Sequence, residues 1–162
     1  MTQRKASPNY LAMAEFRYQI RRFLHFSEHA ARAAELEPQQ HQLLLALKGL
    51  PANKKPTIGI LAERLQIQHH SAVELVGRLA VRGLVRRYRS KLDRRQVYVR
   101  LTHRGEEVLR KLSLYHLEEL RSVGVTMVQV LSSLIADAGK QSHASTPDAT
   151  SASPELMKKT GN

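Results

Sequence analysis

Eleven basic residues fall between Thr57 and Gly105: Arg64, Arg78, Arg82, Arg86, Arg87, Arg89, Lys91, Arg94, Arg95, Arg100 and Arg104. Only three acids, Glu63, Glu74 and Asp93, share that stretch. It therefore concentrates eight of the twelve surplus positive charges in less than a third of the 162 residues. Guanidinium and ammonium groups at such density suit phosphate oxygens, and neutralising a polyanion releases its counterions. The expected partner is nucleic acid; a merely solvated face or an acidic partner is the alternative.

Two sets of residues in this stretch have spacing that fits recognition. His69, His70, Ser71, Glu74 and Arg78 fall opposite an apolar stripe of one helix, where they can face a groove. Ser71 and Arg78 are the plainest candidates. Glu74 can accept from a cytosine amino group or pair with Arg78 one helical turn on, and both readings stay open. Arg89, Lys91, Asp93, Arg94 and Arg95 cluster between two short alternating segments, as on the tip of a hairpin.

Other chemistries find little support. There are no cysteines, so disulfides, thiolate nucleophiles and sulfur-ligated zinc are excluded. No Walker loop, G-x-S-x-G elbow, H-E-x-x-H or dinucleotide fingerprint occurs, and no enzyme is expected. Among the eight histidines, His25 and His29 are four apart on one helix, yet nothing completes a tetrahedral set. Solvated or hydrogen-bonded histidines are expected, with no metal and no cofactor. Residues after Lys5 are mixed rather than apolar, and no window approaches the roughly 18 apolar residues of a membrane span. A cytoplasmic protein is the expectation.

The elements that position these residues follow from periodicity. Phe16, Ile20, Phe23, Leu24, Ala30, Ala31 and Ala34 recur at three and four between Asn9 and Glu35, predicting a long amphipathic helix. Pro38 opens a second, which Gly49 and Pro51 stop. After the polar connector Asn53 to Pro56, Thr57 caps a short helix burying Ile58, Leu61, Ala62 and Leu65. A turn at Gln66 to Gln68 leads to a helix with Ala72, Leu75, Val76, Leu79 and Ala80 inward, ended by Gly83 in a left-handed conformation. Val85 to Arg89 and Gln96 to Leu101 alternate as strands about a charged tip, Ser90 to Arg95. Thr102 caps a long helix carrying Val108, Leu109, Leu112, Tyr115, Leu120 and Val123. Gly124 is expected to break it, leaving a last helix from Val125 to Ala138 with Val128, Leu131, Leu134 and Ile135 at helical spacing. From Lys140 to Asn162 large apolar residues are almost lacking, and a disordered tail is expected.

Two short helices and a tight turn make a helix-turn-helix, and the hairpin that follows makes it winged. From Leu61 to Gly105 the chain resembles the multiple antibiotic resistance regulator (MarR) family of bacterial winged-helix transcription factors. The resemblance is carried by Arg82-Gly83-Leu84-Val85, by Asp93-Arg94-Arg95 and by Leu101-Thr102-His103-Arg104-Gly105, in that order and spacing. With the flanking helices it extends over about residues 9–138. It implies a mainly α (α+β) fold in one domain: a winged lobe at 57–104, with dimerisation helices at 9–50 and 105–138.

The resemblance also implies a function: a homodimer that sets two lobes on a near-palindromic double-stranded DNA operator. A two-fold partner would also cover the broad apolar faces at both ends of the chain. Arg95 matches the wing arginine that enters the minor groove, and Asp93 the acid that steadies the wing. A repressor is expected, because occluding a promoter requires no further contact. The family commonly holds an aromatic or amphipathic small-molecule effector beside the dimer helices, for which Arg17, Arg21, His25 and His41 are the cationic candidates. The chain departs from the family at Glu74, where a basic or small polar residue is usual, and at Gly77, where an acid is usual.

Overall fold

Asn9 starts the first helix. Its Oδ1 accepts from the Ala12 N–H at 3.0 Å, capping α1 (Tyr10–Ala33), while its Nδ2 donates to Asp137 Oδ2 at 2.8 Å. The start of α1 is thereby tied to the far end of the last helix, and the two run antiparallel. The computed structural model describes residues 8–89 and 96–143, with side chains described through residue 137.

Glu35 turns the chain with φ of 57°, and α2 (Pro38–Lys48) opens on its proline, whose missing N–H costs nothing in a first turn. Gln40 Oε1 accepts from the Glu37 N–H at 3.2 Å and closes that end. Thr57 caps α3 (Ile58–Leu65), its Oγ1 accepting from the Ile60 N–H at 3.3 Å. The turn into α4 (His69–Val81) pivots on Gln66 at φ 54°, and the exit pivots on Gly83 at φ 68°. Glycine suits the second position because a left-handed residue carries no side-chain penalty there.

β1 (Val85–Arg89) and β2 (Val97–Leu101) pair antiparallel, Val85 opposite Leu101 and Arg89 opposite Val97. The order of helices and strands up to this point is that expected from the sequence. Leu43, Leu44, Leu61, Val76, Leu79, Val85 and Val99 form one core in which helices α2, α3 and α4 meet the root of the hairpin.

The C-terminal half departs from expectation. A single helix, α5 (His103–His143), replaces the two that Gly124 was to separate. A glycine inside a helix costs about 1 kcal/mol relative to alanine, which one well-packed neighbour can offset. Val123, 1% exposed, is such a neighbour. Residues 140–143 continue this helix, correcting the start of the expected tail; the remainder of that tail lies outside the described residues.

Candidate nucleic-acid interface

Helix α4 is built to be held from one side. Ala72, Leu75, Val76 and Leu79 are buried, and their attachment to the core leaves the opposite face open. His69, His70, Glu74 and Arg78 are exposed there, whereas Ser71 is half-buried at the margin. Glu74 and Arg78 approach to 3.9 Å with both side chains mostly exposed. A pair so long and so wet contributes little. The structure therefore brings these five residues to one end and flank of a single helix.

Beside α4 the hairpin shows two faces. Val85, Val97 and Val99 turn toward the core, with Arg87 and Arg89 in the same alternation. Arg86 opposite Arg100, and Tyr88 opposite Tyr98, form the other face. Like charges directly opposed destabilise a hairpin. The Arg100 guanidinium relieves this by lying 4.5 Å from the centre of the Tyr88 ring. Arg89 is exposed on the last described rung of β1; Lys91, Asp93, Arg94 and Arg95 lie outside the described residues.

The position of the lobe is fixed by a junction at the start of α5. The Thr102 hydroxyl donates to the Gly83 carbonyl at 2.7 Å and accepts from the Gly105 N–H at 3.0 Å. The Thr102 N–H reaches the Leu84 carbonyl at 3.0 Å. Gly105 presses on the same carbonyl so closely that a Cβ would stand 2.1 Å from its oxygen. The Leu-Thr-x-x-Gly pattern is thus a clamp between the α4–β1 turn and α5. Arg82 completes it, donating to the Glu35 carbonyl at 2.5 Å and to Gln40 Oε1 at 3.1 Å, so that one of the eleven basic residues serves the scaffold.

Residues that the sequence reading passed over also reach this side. Lys54 and Lys55, assigned only to a polar connector, line a cleft of about 670 Å³ with Thr57, His69 and Gln96. Only tertiary structure brings that connector beside the first residue of α4, so periodicity carried no signal of it.

The candidate effector residues are divided. Arg17, Arg21 and His25 are exposed on α1, and His29 with them, while His41 on α2 is buried. His41 stacks on His116 with ring centres 4.8 Å apart, beside Phe23 and Phe26. The Nδ1–H of His116 donates to the Leu112 carbonyl at 2.6 Å, and its Nε2 shares a hydrogen bond of 2.8 Å with the Ser27 hydroxyl. Burial, and then the neighbouring His116, lower the pKa of His41 to about 4. Among the described residues no group of three His, Cys, Asp or Glu side chains is placed to hold a metal ion.

The lobe is similar to that of known proteins. Residues 34–96 match the MarR family model. That segment, well under half of the chain, is similar to the MarR family. No curated protein matches the sequence significantly. Among solved structures, AbsC, a MarR family transcriptional regulator from Streptomyces coelicolor, is 18% identical, with a TM-score of 0.65 over 88% of this chain and 99% of that one. FabT of Streptococcus pneumoniae, in complex with DNA, is 17% identical at TM-score 0.62, covering 84% and 99%. BpsR of Bordetella bronchiseptica, whose DNA binding is regulated by 6-hydroxynicotinic acid, is 19% identical at 0.56, covering 73% and 93%. At these identities the likeness shows the fold alone, winged and mainly α. No described helix is long and apolar enough to cross a membrane.

Proposed function

We propose that the protein is a homodimeric transcriptional repressor that recognises a near-palindromic duplex site in the cytoplasm. The observation that carries this reading is the α4 face. It is backed by the core, open to solvent along His69, His70, Glu74 and Arg78 with Ser71 half-buried at the margin, and flanked by a basic hairpin. A major groove about 12 Å wide admits one such helix. Residues 57–104 act as the reading lobe, while 9–50 and 105–138 supply the pairing helices. Arg89, Lys91, Asp93, Arg94 and Arg95 form the wing that reaches the adjoining minor groove, where narrow stretches hold enhanced negative potential.

Selection of bound sites from random duplexes tests this directly. A regulator prefers one inverted repeat over random sequence by roughly 10³-fold or more, whereas a DNA-coating protein shows no such choice. With the selected site in hand, Arg95→Ala should weaken binding more than about tenfold while leaving thermal unfolding unchanged. Equal affinity for all duplexes would overturn the regulator reading, and an unaltered Arg95→Ala titration would remove the wing from it.

Release by a small aromatic or amphipathic acid belongs to the same reading. Arg17, Arg21 and His25 offer accessible cations, and His41 lies beneath a cluster of rings. An effector acts by favouring a lobe spacing unfit for DNA, with a coupling of typically about 1 to 3 kcal/mol. Titrating aromatic acids against the preformed complex measures it.

A further inference from the structure

The corner between the wing and α4 holds an arginine whose position serves neither the core nor the clamp. Arg87 sits on β1 opposite Val99, and its guanidinium crosses to α4, where Nη2 donates to the Val73 carbonyl at 3.0 Å. There it rests against Gly77: a Cβ at that position would stand 3.1 Å from Nη2. Glycine is a poor choice for a helix interior. Here the missing side chain leaves the space that the guanidinium fills. No acid pairs with Arg87 among the described residues, and Glu74, on the neighbouring strip of α4, turns to Arg78 instead. A guanidinium has five N–H donors. One carbonyl leaves most of them, and the whole charge, at an exposed surface.

In B-DNA the sugar-phosphate backbone is the wall between the major and minor grooves. If α4 enters one and the wing the other, a phosphate strand must run through the corner between them. We propose that Arg87 clamps a phosphate in that corner, held in place by the absence of a side chain at Gly77. This rests on the DNA-binding reading above and adds to it a contact to backbone, which positions the duplex without reading its sequence.

The test compares salt dependence of binding, from about 50 to 200 mM salt, on the selected duplex and on a random one, for the full chain and three variants. Gly77→Asp sets a carboxylate within reach of Nη2 and spends the Arg87 charge on an ion pair. It should melt no lower than wild type, yet lose about one unit of log–log salt slope and about fivefold in affinity at ~0.15 M salt, equally on both duplexes. Arg87→Ala should lose the same slope. Gly77→Asn, similar in size but uncharged, should keep the wild-type slope. The proposal is overturned if Gly77→Asp keeps the wild-type slope, if Asn matches Asp, or if the loss is confined to the selected duplex. A wild-type chain with no salt-dependent duplex binding sinks the parent reading first, and this one with it.

Discussion

His41 is a titratable group with nowhere to put a charge. It is 2% exposed, its Nδ1 meets no partner among the described residues, and it stacks on a second imidazole. That neighbour bonds to the Leu112 carbonyl and the Ser27 hydroxyl, and it brings no carboxylate to offset a charge on His41. The unfolded chain takes up a proton at His41 near the ordinary value of 6.5, whereas the folded chain resists until about 4. The contribution is therefore whole above pH 6.5 and is lost as the pH falls toward 4, because there the unfolded state binds more protons. The gap corresponds to about 3 kcal/mol. Urea unfolding at fixed protein concentration should show wild type losing stability on acidification faster than His41→Leu, which has no proton to gain at this site. Parallel curves for the two proteins would show that His41 is not shielded from charge.

At the scale of elements, the Gly105 clamp joins the winged lobe to the long helix. Gly105→Ala puts a methyl carbon 2.1 Å from the Leu84 oxygen, a backbone atom that cannot rotate away. Either α5 or the α4–β1 turn must shift, at a cost of about 1 to 3 kcal/mol typical of overpacking. Thermal denaturation should register that loss, and an unchanged midpoint would mean that the junction is loose. The sequence showed the Leu-Thr-x-x-Gly pattern without its cause, because only the fold brings the Leu84 carbonyl to Gly105. Helices α1 to α4 and the hairpin were legible because apolar period, caps and turn residues agree locally: Asn9, Thr57 and Gly83 each act where their chemistry predicts. The continuity of α5 was not legible, since the packing of Val123 that carries it through Gly124 is tertiary. The same holds for the site. The open face of α4 could be read from its stripe, but the scaffold duty of Arg82 and the approach of Lys54 and Lys55 to His69 could not.

For the whole molecule, the question is what covers α1 and α5. Tyr10 and Leu11 near the start of α1 are 69% and 83% exposed, and Val125, Val128 and Ile135 on α5 are about as open, at 59%, 64% and 64%. The Asn9–Asp137 bond brings the start of α1 beside the α5 segment around residue 137, so exposed apolar residues of both helices lie toward one end of the pair. Large apolar side chains left open in numbers on a monomer often mark an interaction surface. In the dimer proposed above, a second copy of the chain would be the self-complementary cover that a two-fold axis supplies, and pairing would also give the two lobes that a genomic site requires. Val128→Asp places a charge in the patch without touching the core. Its helical circular dichroism should match wild type, its sedimentation should shift from dimer to monomer, and its affinity for the inverted repeat should fall toward that for random duplex, by about 10³-fold. A wild-type chain already monomeric at binding concentrations, or a variant still dimeric and fully selective, would place the pairing surface elsewhere and leave this apolar region without a role.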